Sequence, residues 1–213
     1  MLSQAPWGVG AAVVLIAALI AGLVPQRLIH PDHGPGWPWR PGLWLSAFAA
    51  VAGLTAFGGC LALGRPQVAA PLGVVAAGLA AMLLVDLRRL LIPDIHVILL
   101  LALAVAWPEP MTWAQVALGA LLGGGLLYAV RFVFRRLRGI EGLGLGDVKL
   151  MTAIGALAGP ERTLWIIVAG AILGAGWLLI AHRRGRSEEP LAPFGAMVAV
   201  PAFIFIALDR LAP

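Results

Sequence analysis

The sequence predicts an all-α fold: a polytopic membrane helix bundle of about eight transmembrane helices, forming one domain over residues 1–213. Three observations carry that expectation. The chain is 61% hydrophobic and only 12% charged, against about 25% charge in a soluble domain, so it has too little charge to cover a globule with polar surface. Its mean hydropathy is +0.96. Its apolar residues fall in long runs without the polar/apolar alternation that strands of a membrane barrel require.

The runs cover 8–24, 43–63, 68–86, 93–107, 113–131, 147–159, 163–181 and 194–209. Most approach the ~20 residues, at ~1.5 Å each, that cross a ~30 Å hydrocarbon layer. The first has no Lys or Arg ahead of it, unlike a secretory leader, and is expected to be a resident helix. Residues 25–41 (PQRLIHPDHGPGWPWRP) form a short loop before the 43–209 core. His30, Asp32 and His33 have a spacing open to metal, but short polar loops collect such residues readily, and no metal or cofactor is expected. The loop's tryptophans suit a membrane interface. Cys60, the one cysteine, lies inside the second run, where a packing role is expected and an internal disulfide is impossible. The third run ends on Asp86, and the fourth follows Ile92-Pro93-Asp94. Small-residue spacings at Gly119/Gly123, Gly155/Gly159 and Gly170/Gly174 allow close helix packing in the fifth, sixth and seventh. The sixth is short enough to be re-entrant or enclosed by the bundle.

The net charge of +5 is concentrated in short loops, which is a topology signal. With eight crossings and the N-terminus outside, twelve of the fifteen basic residues face the cytoplasm, leaving Arg65, Arg162 and Arg210 outside. A re-entrant sixth segment makes the split eleven to four, so charge does not settle that segment. Under both arrangements the loops around 86–94 and 131–149 are cytoplasmic. No basic stripe interleaved with aromatics is present, so a nucleic-acid partner is not expected.

Ionisable residues in or at the end of a membrane helix are expensive and therefore candidate functional groups. Asp86, in LLVDLRRLLIPD, and Asp147, in EGLGLGDVKLM, stand out. Two carboxylates held together away from water share a proton near neutral pH. One member can then take a proton from an attacking water while the other polarises a carbonyl. A simpler reading stays open. Asp147 at a helix start would gain from capping and the helix dipole. Asp86, at the end of its own helix, would gain nothing of that kind and would pair only with Arg88 or Arg89. The glycines of Gly142-Leu143-Gly144-Leu145-Gly146-Asp147 permit close backbone approach by a peptide. The run lacks the GxGxxG and GxxxxGK[ST] patterns of nucleotide sites.

Three segments together carry a family resemblance. Glu141 to Leu150 resembles the GxGD signature region of type IV prepilin peptidases. Asp86, eight residues before Asp94 of Ile92-Pro93-Asp94, resembles their other aspartate motif. Pro193-Phe194-Gly195 before the last helix is a third match. The resemblance covers roughly 86–199. It implies a GxGD aspartic peptidase that removes the basic leader from prepilins or pseudopilins at the cytoplasmic face of a bacterial or archaeal inner membrane. Asp86 and Asp147 would be the catalytic pair, and Gly144 and Gly146 the motif glycines. Glu141, Lys149, Asp94, Pro193, Phe194 and Gly195 would support the site or bind substrate. Many members carry a cysteine-rich insert after the first helix that supports N-methylation. Here the 25–41 loop has no cysteine and Arg88 replaces a second acidic residue, so a peptidase-only member is expected. The rival readings are a preflagellin-type peptidase, a non-catalytic subunit of a pilus or secretion assembly, and a small proton-coupled transporter.

Overall fold

The computed structural model describes residues 10–19, 40–107, 110–139, 142–184 and 192–212. It is helical, with no strand among the described residues: α1 (Gly10–Leu19), α2 (Arg40–Ala62), α3 (Pro66–Arg89), α4 (Asp94–Ala106), α5 (Trp113–Arg138), α6 (Leu145–Arg183) and α7 (Phe194–Leu211). Of these, α2, α3, α5, α6 and α7 are long and apolar enough to cross a membrane, while α1 and α4 are shorter apolar helices. His30, Asp32 and His33, with the rest of 20–39, lie outside the described residues.

Local chemistry sets the boundaries. Pro66 opens α3, where its missing N–H would have had no helical partner anyway. Pro93, without an N–H to continue a helix, precedes α4. Thr112 caps α5 through a reciprocal pairing with Gln115, and left-handed Gly139 (φ 69°) ends it.

The expected segments 147–159 and 163–181 are the two limbs of α6, whose backbone breaks at Gly159 (φ 75°, ψ 172°) before Pro160. That conformation belongs to glycine, and the following proline disfavours a helical residue before it. The break reverses the chain. A Cβ placed on Gly123 of α5 would stand 2.9 Å from the Met151 carbonyl carbon and 3.4 Å from Thr163 Cγ2. A straight helix would hold those two residues ~18 Å apart. The limbs, 145–158 and 160–183, therefore run antiparallel beside α5. At ~1.5 Å per residue the first reaches ~21 Å, short of a ~30 Å hydrocarbon layer.

The most enclosed of the five long helices is α3, which packs against α2, α4 and α7, while α6 packs against α4, α5 and α7. Leu72, Met82, Leu100, Met151, Ile154 and Ile206 are fully buried in the core. Outward-facing Leu121, Phe132 and Ile172 are more than 60% exposed, as expected for a bundle solvated by hydrocarbon.

The bundle has two chemically distinct ends. One gathers the ends of α3 and α5, the starts of α4, α6 and α7, and the last turn of α6. At the other, buried Arg210 donates to the Leu157 carbonyl (3.2 Å), and its guanidinium lies 4.4 Å from the Trp107 ring centroid. Leu157 lies in the last turn before the Gly159 break, where carbonyls lose their helical partners. Arg162 and Asp209 pair alongside at 2.7 Å.

Candidate active site

Asp86 occupies the last turn of α3 and is 3% exposed. Its Oδ2 accepts the Ala196 backbone N–H at 2.8 Å. Ala196 belongs to the first turn of α7, whose N–H groups have no partner within the helix and point the positive end of its dipole at the carboxylate. Asp86 thus caps a helix other than its own. This corrects the expectation that it gains nothing from a helix dipole.

The Pro193-Phe194-Gly195 motif acquires a physical role here. Pro193 is buried immediately before α7, and Phe194 packs on the core. Gly195 lets the helix end approach: a Cβ there would stand 3.1 Å from Asp86 Oδ2 and 3.0 Å from Ile92 Cδ1.

Asp147 is the third residue of α6 and is half-buried. Its Oδ2 accepts the Gly144 N–H at 3.2 Å, so the capping expected of an aspartate at a helix start is present. A Cβ on Gly146 would meet Ile92 Cβ at 3.2 Å. Ile92 is therefore wedged between the glycine motif before Asp147 and the one beside Asp86. The two carboxylates lie at the same end of the bundle, and the glycine beside each packs on Ile92.

Lys149 Nζ reaches both oxygens of Asp94, at 3.0 and 3.3 Å, tying the second turn of α6 to the first turn of α4. Both side chains are more than half exposed. Glu141 lies outside the described residues. The site also includes residues that the motifs did not single out. Ile92 is the wedge just described. Arg131, 8% exposed within α5, donates to the Leu143 carbonyl and so anchors the glycine-rich loop. An arginine closing an apolar run was the signal for it, by the same cost argument that marked Asp86. Chemically, a carboxylate pair supplied by separate helices can hold one proton and orient a water.

The Type IV leader peptidase family profile matches residues 73–179, which contain Asp86, Asp94, Asp147 and Lys149 but not Pro193-Phe194-Gly195. A prepilin leader peptidase/N-methyltransferase of Burkholderia pseudomallei is 38% identical over 148 residues, covering 66% of this chain and 47% of that protein. Proteins of the same name are 35% identical in Xanthomonas campestris pv. campestris (62% of this chain, 47% of that protein) and 34% identical in Pseudomonas aeruginosa (60% and 45%). The matched region thus spans about half the length of these curated relatives. No solved structure matches. With half of its length matched by the family profile and with relatives of this identity, the chain belongs to the type IV leader peptidase family.

Proposed function

We propose that this chain is a membrane-embedded aspartic endopeptidase that removes the short basic leader from type IV prepilins or pseudopilins, with Asp86 and Asp147 as its catalytic pair. One observation carries the reading: in a chain of this family, two aspartates from separate helices lie at one end of an apolar bundle, with the glycine beside each packed on Ile92.

The pair holds one proton and a water. As the water attacks the scissile carbonyl, the ionised aspartate takes its proton and the protonated one hydrogen-bonds to the carbonyl oxygen. Collapse of the tetrahedral intermediate returns a proton to the leaving amine. No covalent intermediate forms, and the dyad titrates as a unit. The capping N–H groups of α7 and Gly144 fix the orientation of the two carboxylates. Glu141 favours a basic leader, and the substrate's apolar stem stays in the bilayer.

The same end carries Arg88, Arg89, Arg135, Arg136, Arg138, Lys149 and Arg183. By the positive-inside rule this supports a site at the cytoplasmic face of the inner membrane, with the N-terminus outside. The relatives' name includes an N-methyltransferase. The 25–41 loop here has no cysteine, which supports a single-domain peptidase without that second activity or a metal.

Co-expression with a tagged prepilin, followed by gel shift on loss of the leader, tests the reading. Wild type should cleave, and neither Asp86→Asn nor Asp147→Asn should. No cleavage of several prepilins by folded wild type would overturn it.

A further inference from the structure

An apolar groove of about 400 Å³ opens on the flank of the bundle between α2, α3 and α7. Ala52 and Ala56 of α2, Leu79 and Leu83 of α3, and Ala199 and Phe203 of α7 form most of its wall. The hydroxyl of Thr55, its one polar side chain, is turned back onto the Val51 carbonyl at 2.7 Å, so the groove is dry. Along α3 it extends from Ala76 to Leu83, about 10 Å or two helical turns. Its near end stops one helical turn from the candidate site. Asp86 follows Leu83 by one turn, and Ala196, which donates to Asp86, precedes Ala199 and Val200 by one turn.

We propose that this groove is the docking track for the apolar helical stem of the substrate, an inference that rests on the peptidase reading above. Three features select a helix over an acyl chain. Five of the eleven wall residues are alanine, which lets a second helix approach closely where no water drives association. It spans whole turns of two flanking helices, the surface into which helix ridges pack. Its end at Leu83 and Ala199 also lies one turn along α3 and α7 from Asp86 and Ala196, so a helix in the groove would point its chain toward that carboxylate. Phe48 and Phe203 flank the track.

The experiment replaces Phe48 or Phe203 with p-benzoylphenylalanine, with Ile172 on the outer face of α6 as the control. Each protein is reconstituted with a tagged prepilin in phosphatidylethanolamine/phosphatidylglycerol vesicles and irradiated. Adducts to the prepilin should form at both groove positions at least about tenfold above the control. Equal labelling at all three positions, or adducts only to lipid or to a second copy of this chain, would overturn the assignment. In parallel, Ala80→Phe, which fills the groove from a half-buried position, should raise KM at least about tenfold, more than it lowers kcat. An unchanged KM would count against the track. If wild type cleaves while the groove positions fail, the track falls and the peptidase stands. If wild type does not cleave, both fall.

Discussion

Gly123→Ala tests how the fold holds Asp147 in position. Gly123 lies against Met151, one helical turn beyond Asp147 on the first limb of α6. A methyl there overlaps the Met151 carbonyl oxygen and stands 2.9 Å from its carbon. Carbon atoms pack at about 3.5–4.0 Å, so the limb must retreat by about 1 Å. Overpacking of this kind costs about 1–3 kcal/mol of stability, and a displacement of about 1 Å at a reacting group lowers rate about 100-fold. Gly125→Ala, on the same helix, is the matched control, because its methyl meets only Leu121 Cδ1, at 3.9 Å. Prepilin cleavage rates and thermal unfolding in detergent would be measured for both. Gly123→Ala should unfold at lower temperature and cleave about 100-fold more slowly, while Gly125→Ala stays within about twofold of wild type. Equal cleavage by the two variants, with Gly123→Ala folded, would show that the α5 contact does not position Asp147.

Two further outcomes follow from other contacts. An exposed ion pair contributes about 0–1 kcal/mol, so Asp94→Lys or Lys149→Asp alone should slow cleavage by up to about fivefold, and the combined swap should recover most of that loss. A swap as slow as the single changes would mean that one of these groups meets the substrate directly. Arg210→Met should leave the Leu157 carbonyl unpaired at the α6 break and lower stability by about 1–3 kcal/mol, read as the shift in thermal unfolding. An unchanged unfolding temperature would contradict the role assigned to Arg210.

Much of the architecture was legible because a hydrocarbon solvent writes itself directly into composition. The run 68–86 became α3 (Pro66–Arg89), and 194–209 became α7 (Phe194–Leu211). The boundary between 147–159 and 163–181 also marked a real event, since Gly159-Pro160 is where the chain turns back. Hydropathy gave no sign that both limbs would lie against α5, because that depends on backbone approach at Gly119, Gly123 and Gly155. The motifs identified Asp86 and Gly195 without the relation between them. Asp86 caps α7 across 110 residues of sequence, a pairing that no local pattern encodes. Ile92 was read only as the residue before Pro93, yet its side chain separates the two glycine motifs. Arg131 was counted as loop charge because it closes an apolar run, although it points inward to the Leu143 carbonyl.

The proposed dyad is tested by single-turnover cleavage of one prepilin with Asp86→Asn, Asp147→Asn and the double variant, all verified as folded. Groups that act as one unit lose their function together, so each single change should cost about 10²–10⁴ in rate and the double change little more. Near-wild-type cleavage by either single variant, or losses that multiply in the double variant, would show that Asp86 and Asp147 do not form a catalytic pair.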